Sequence, residues 1–297
     1  MELIWDHCFY DQLRTNPEEH PVMLTEAVNN PKNNREKMAE IMFEKYGVPG
    51  LFISMQALLS LYACGRTSGL VVDIGDGVTH TATVFNGWLL PHSSLRMNLA
   101  GRDLTERMVR LLAERGYQFT TTAEREIVRD IKEKLSYVAF NYEEELANEE
   151  RDSIADDSYT LPDGQVIYVG SESFRCTEAL FKPSLVGMED SGIHELTYKS
   201  IFKCDNEIRK DMYANIVLSG GTTMTPGLQE RLTKELSLLA PPDCTVNLYA
   251  PADRNNSVWI GGAVLASLDS FLPMWVTSTD YSERGFVAVH EKCNVIE

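Results

Sequence analysis

Three glycine-bearing turns carry the residues best suited to chemistry: Asp73-Ile74-Gly75-Asp76-Gly77, Ser219-Gly220-Gly221-Thr222-Thr223 and Trp259-Ile260-Gly261-Gly262. Glycine has no Cβ, so backbone amides in such turns can approach phosphate oxygens. The two aspartates of the first turn add acceptors that can hold a divalent cation through water. The competing reading is three ordinary strand-end turns, because glycine is common there. Three in one chain, one of them with two carboxylates, favour the phosphate reading. Motif absences narrow it further. There is no G-x-x-x-x-G-K-[ST], no G-x-G-x-x-G opening a helix and no G-x-S-x-G. P-loop NTPases, dinucleotide oxidoreductases and α/β-hydrolases are thereby set aside.

The elements that must position these turns are legible from periodicity. Gly69 to Phe85 reads as a strand–loop–strand hairpin of two β-branched runs. Asn86-Gly87 makes a second tight turn. Asn33 or Asn34 is placed to cap a helix over REKMAEIMFEKY that Gly47 ends. Val48 to Ile53 is strand-like, and Ser54 to Tyr62 is helical. Gly101 to Glu114 is a second helix, stopped by Gly116. Thr121 and Glu124 have capping-box spacing and open a long helix expected to reach about Asn141. Tyr159 to Gly170 is a hairpin around Asp163-Gly164. NIVLSGGTTMTPG reads as strand, glycine turn and helix start, and SVWIGGAVLASL as a short strand, Gly261-Gly262 and an apolar helix. Strands and helices mix along the whole length without a Pro/Gly/Ser linker, which indicates an α/β fold with more than one lobe.

Composition bounds the partners. The 297 residues are 43% apolar and 24% charged, ordinary for a globular protein, with a net charge of −17. Such a surface repels phosphate backbones, so nucleic acid and anionic membrane are excluded as leading partners. No run approaches the roughly 18 apolar residues of a membrane span. The acidic, aromatic start is unlike a secretory signal. Six cysteines and six histidines are scattered, with no C-x-x-C pair, which suits reduced thiols and argues against a zinc site. Glu143 to Asp157 holds eight carboxylates and one arginine, and reads as a solvated surface.

At these residues the sequence resembles the actins. The matching stretches include PEEHPVMLTEA, NREKMAEIMFE, QALLSLYACGRTSG, DGVTHT, LAGRDLT, ERGYQFTTTAEREIVRDIKEKL, LPDGQVI, IRKDMYAN, VLSGGTTM, SVWIGGAVLASL and the KCN around Cys293, in the family's order from end to end. The resemblance implies an α/β, actin-like fold of two RNase-H-like lobes, with ATP or ADP and Mg²⁺ or Ca²⁺ clamped between two hairpins. It also implies that the chain is N-terminally incomplete, lacking the first phosphate hairpin and the small subdomain with the DNase-I-binding loop. By the same resemblance, residues 1–63 and 257–297 form a partial first lobe, 64–99 and 189–256 a second lobe, and 100–188 a further subdomain.

Residue by residue, Asp73 resembles the carboxylate that orders water on the metal. Gly75, Asp76, Gly77 and Val78 resemble the loop around the β- and γ-phosphates. Gln56 and His80 resemble the pair that positions the attacking water of a slow ATPase. Gly101, Arg129, Lys132, Glu133, Gly221, Thr222 and Met224 resemble the nucleoside pocket. Ile74 stands where actins have a serine or similar side chain, which puts a branched apolar group at the phosphates. Thr225 and Asn255 replace a tyrosine and a lysine beside the base. With one hairpin of the clamp, weak nucleotide affinity is the expectation. Tyr62, Ala63, Trp88, Leu265, Leu268 and Met274 resemble the cleft that receives other protomers and actin-binding proteins. Lys182 to Asp190 resembles the plug between filament strands. The implied location is the cytoplasm and its cytoskeleton.

Three functions stay open on the sequence: a cytoskeletal, filament-forming actin-like protein, a non-polymerising interaction or regulatory module, and a fragment of a full-length actin. The residues leave ATP hydrolysis undecided. A chain without the opening strands exposes apolar surface and a strand edge, so instability in isolation and failure to elongate filaments unaided are expected.

Overall fold

A computed structural model describes residues 1–151 and 157–293. Part of the acidic stretch 143–157 therefore lies outside the described residues. Thirteen α-helices are described: α1 (Glu2–Asp6), α2 (Lys32–Glu40), α3 (Gln56–Ala63), α4 (Gly101–Glu114), α5 (Thr122–Leu135), α6 (Tyr142–Arg151), α7 (Glu172–Thr177), α8 (Ile193–Phe202), α9 (Asn206–Ala214), α10 (Leu228–Leu239), α11 (Ser257–Ala266), α12 (Ser278–Arg284) and α13 (Phe286–Cys293). The described strands are β1 (Val22–Glu26), β2 (Gly50–Met55), β3 (Gly69–Ile74), β4 (Thr79–Phe85), β5 (Trp88–Leu89), β6 (Leu95–Met97), β7 (Asp157–Thr160), β8 (Val166–Val169), β9 (Ile216–Ser219), β10 (Leu248–Tyr249) and β11 (Val276–Thr277). The chain divides into two compact units, residues 1–68, 84–91 and 257–297, and residues 69–83 and 92–256.

In the first unit β2 is the central strand, parallel to β1 and antiparallel to β11. All six residues of β2 are buried, as expected of a strand covered on both faces, and Ser54 is its one polar side chain. Met42, Tyr46, Val48, Phe271, Val276 and Val289 close over Leu51, Phe52 and Ile53 to make its core. Val84–Phe85 turn through Asn86 (φ 51°) and Gly87 (φ 84°) onto β5, the left-handed pair that a two-residue hairpin requires.

The structure corrects one reading of this unit. Trp259-Ile260-Gly261-Gly262 is neither a strand nor a turn but the middle of α11. The glycines serve packing. A Cβ on Gly261 would lie 1.8 Å from the Leu59 carbonyl oxygen, so α11 touches the backbone of α3 there. An apolar helix with paired glycines and a strand-plus-turn look alike in sequence, and only the partner backbone separates them.

In the second unit the strand order is β10–β9–β3–β4, with β6 against the start of β4. β3, β9 and β10 are parallel. β7 and β8 form a separate hairpin, Thr160 opposite Val166, around Asp163-Gly164. The capping box of α5 is present: the Glu124 amide donates to Thr121 Oγ1 at 3.2 Å, and the Thr121 amide to Glu124 Oε2 at 2.7 Å. The helix stops at Leu135, short of Asn141. The reason is tertiary. Thr177 Oγ1 donates to Tyr137 O (2.6 Å), Arg231 Nη1 to Ala139 O (2.9 Å) and Lys234 Nζ to Phe140 O (2.9 Å), while the Val138 amide donates to Pro226 O (2.8 Å). These bonds occupy groups that a continuing helix would have used itself.

Gly261→Ala is expected to force α11 off α3 and cost about 3 kcal/mol or more. Urea denaturation of the variant checks it, and a midpoint equal to that of the parent chain would contradict the close approach of the two helices.

Candidate functional site

The parallel pairing of β3 with β9 places Asp73 opposite Ser219, and each strand then ends on a glycine turn. The first two glycine turns of the sequence are thus side by side. Gly220 (φ 92°) sits where they meet. A Cβ there would lie 2.4 Å from the Ile74 carbonyl oxygen and 2.5 Å from Asp73 Oδ1. Thr222 Oγ1 donates to Gly75 O at 2.7 Å and ties the second turn to the first. Arg254 bolts the second turn from behind, its Nη2 donating to Thr223 O at 2.8 Å while its own carbonyl accepts from the Gly220 amide at 3.2 Å.

The start of α4 completes the arrangement. The amides of Gly101 and Arg102 donate to the carbonyls of Gly75 (3.0 Å) and Asp76 (2.7 Å). Lys132 of α5 donates from Nζ to Gly101 O at 2.9 Å, and burial lowers its pKa. The Arg102 guanidinium holds the exposed Asp76 carboxylate at 2.9 Å. With two carbonyls of the first turn committed to α4, its amides are left over. The Gly75 amide donates to Val78 O at 3.2 Å, but within the described residues the amides of Asp76, Gly77 and Val78 donate to no backbone carbonyl. Gly77 and Gly221 lack left-handed backbone, and a Cβ on either would meet nothing within 4 Å. Neither conformation nor packing asks for glycine at these two positions. What glycine leaves there is bare backbone facing open space.

Asp73 is largely enclosed. Burial pushes its carboxyl pKa up, opposed by a hydrogen bond from Ser219. His80, on β4 opposite Arg96, is 8% exposed, and its Nε2 has no partner among the described residues. Burial first, and the Arg96 charge second, lower its pKa, so the ring is neutral at pH 7. Ile74 is fully buried, so its side chain packs in the core and does not cover the turn as the sequence suggested. Gln56 belongs to the first unit, at the start of α3, where its Nε2 donates to Thr25 Oγ1 at 3.4 Å. Among the described residues no three His, Cys, Asp or Glu side chains group as a metal site.

Beside these turns the second unit holds a cavity of about 250 Å³. Lys132, Glu133, Gly221, Thr222 and Met224 line it together with Leu104, Thr177, Thr225 and Asn255. Gly101 stands one hydrogen bond away, through Lys132. Arg129 is exposed on α5, 2.7 Å from Glu126 and 4.0 Å from Glu133, and is not among the lining residues. Thr177 and Arg254 lie outside every matching stretch of the sequence, and Leu104 lies inside LAGRDLT without being singled out there. They belong to the site because α4, α7 and the loop before α11 converge on it.

The first unit has its own apolar cleft of about 400 Å³. Tyr62, Trp88, Leu265, Leu268 and Met274 line it with Phe52, Leu58 and Phe271, and Ala63 does not. Trp88 is 51% and Leu268 47% exposed, large apolar surface left open to water.

A family model described as Actin matches residues 1–294. The chain belongs to the actin family. The mixed α/β architecture of both units accords with an actin-like fold, and the actin family generally binds nucleotide with a divalent metal. Among the described residues no helix is long and apolar enough to cross a membrane.

The raised pKa of Asp73 has a testable sign. Its charged form is penalised in the folded state, so stability is greatest below the unfolded value of 3.8 and falls as pH rises through the raised one. Asp73→Asn is therefore expected to unfold at a higher temperature than the parent at pH 7, with the two melting curves converging towards pH 3.8. A less stable variant at pH 7 would refute the burial argument.

Proposed function

We propose that this actin-family chain binds ATP or ADP with a divalent cation at the glycine turns of the second unit, and that it serves in cytoskeletal filaments in the cytoplasm. One observation carries the nucleotide reading: uncommitted amides at Asp76, Gly77 and Val78 beside glycines that neither fold nor packing explains. Such amides suit phosphate oxygens. The adjoining cavity, with Lys132, Glu133, Gly221, Thr222 and Met224, then takes the nucleoside. A bound Mg²⁺ or Ca²⁺ supplies charge neutralisation at the phosphates. Asp73, a single enclosed carboxylate, suits an approach to it through water. In this reading His80, whose ring is neutral and whose Nε2 meets no partner among the described residues, orients the attacking water. Affinity is weak, since Lys132 is the one cation among the described lining residues and it is already tied to Gly101.

Calorimetric titration with Mg-ATP tests this. Gly77→Val fills the open space without touching the fold. A charge-assisted hydrogen bond from an amide to a phosphate oxygen is worth about 1.5–3 kcal/mol, so blocking one should lower affinity roughly tenfold or more, with the melting temperature unchanged. No binding by the parent chain at millimolar Mg-ATP, or unaltered binding by the variant, would overturn it. Pelleting under polymerising salt tests filament formation.

The first unit's cleft favours a second reading, that of a protein-interaction module. Its open Trp88, Leu268 and Met274 suit the apolar face of a helix. Met274→Glu should abolish binding of a leucine-faced amphipathic peptide measured by fluorescence anisotropy. Equal binding by parent and variant would exclude the cleft as the docking site.

A further inference from the structure

The cavity of the second unit says more about its ligand than the word nucleotide does, on the footing of the nucleotide reading above. Four of its polar side chains already donate a hydrogen bond to the backbone, so none of the four depends on a ligand for its partner. Lys132 Nζ donates to Gly101 O, Thr177 Oγ1 to Tyr137 O, Thr222 Oγ1 to Gly75 O and Thr225 Oγ1 to Thr222 O. Among the described lining residues only Glu133 and Asn255 bring polar side-chain atoms not turned onto the protein backbone, and both are exposed. Glu133 also leans towards Arg129, 4.0 Å away. None of the described lining residues is aromatic.

Discrimination between two ligands of similar shape comes from buried polar groups that the wrong ligand leaves unpaired. Adenine presents a donor amine and an acceptor nitrogen on its edge, guanine an acceptor oxygen and donor N–H groups. An exposed carboxamide such as Asn255 serves either pattern, since it both donates and accepts. An exposed carboxylate that misses its partner turns to water. Neither purine therefore leaves anything buried and unsatisfied. What remains to hold the base is apolar packing against Leu104, which is buried, and Met224, which is 38% exposed and has an unbranched, adaptable thioether.

We infer that this pocket selects a purine by apolar packing and does not read its hydrogen-bonding edge, so that guanosine and adenosine triphosphates are alternative ligands. Met224 is the specificity-determining side chain, and it acts on ring area.

Competition titrations on the full chain, with a fluorescent ATP analogue displaced by Mg-ATP, Mg-GTP, Mg-ITP or Mg-CTP, test this. The three purine nucleotides should bind within about fivefold of one another, where a site built to hydrogen-bond the base would separate them by roughly 10⁴. CTP, with its smaller ring, should be about fivefold weaker. Met224→Ala should weaken ATP and GTP by the same factor and leave their ratio unchanged, which a merely unfolded or loosened variant is separated from by an unaltered melting temperature. A thirtyfold or greater preference for either purine overturns the inference and leaves the nucleotide reading standing. A Met224→Ala variant that loses one purine and keeps the other overturns it as well. Failure of every nucleotide to bind removes both.

Discussion

The parallel registration of β3 on β9 is the constraint on which the second unit's site depends. It sets Asp73 against Ser219 and delivers two glycine turns, far apart in sequence, to one end of the sheet. A slip by one residue would reverse the faces of the strand and send Asp73 to the opposite side. Gly220 makes the register exclusive, because any side chain there would collide with the Ile74 carbonyl and the Asp73 carboxylate. The hydroxyl of Thr222 and the amides at the start of α4 then lock the first turn by its carbonyls. Locking through carbonyls is what leaves amides over for a ligand.

Glycine has different physical duties in this chain, and the distinction bears on function. Gly220 is required by close backbone approach and left-handed conformation. Gly261 is required by helix-on-helix packing alone. Gly77 and Gly221 are required by neither. Only the last kind leaves bare backbone facing open space. Burial and hydrogen bonding fix the titratable groups beside the turns: the imidazole of His80 is kept neutral by burial, the carboxyl of Asp73 is held enclosed, and the ammonium of Lys132 is anchored to a helix carbonyl. Phosphoryl chemistry depends on such placement more than on covalent help from side chains.

Local signals in the sequence are legible where short-range physics decides the conformation. The capping box at Thr121 and Glu124, the Asn86-Gly87 and Asp163-Gly164 hairpins, and the β3–β4 strand pair all rest on neighbours within a few residues. Sequence and structure part where a distant backbone decides. The α5 helix ends early because Thr177, Arg231 and Lys234 take the carbonyls of residues 137, 139 and 140. The glycines of α11 look like a turn until the Leu59 carbonyl is beside them. Ile74 looks exposed to a ligand until its burial is seen.

The sequence by itself determined membership in the actin family, through stretches spread along its whole length, and the glycine turns on which a phosphate site can be built. Residue type and spacing suffice for that, because turn geometry and family pattern are properties of contiguous chain. Only the tertiary structure decided which glycines face open space, which polar groups already have a partner in the backbone, and that Leu104, Thr177 and Arg254 stand beside the cavity and turns. Hydrogen-bond commitment and burial are settled between segments more than a hundred residues apart in places, and no local pattern encodes them.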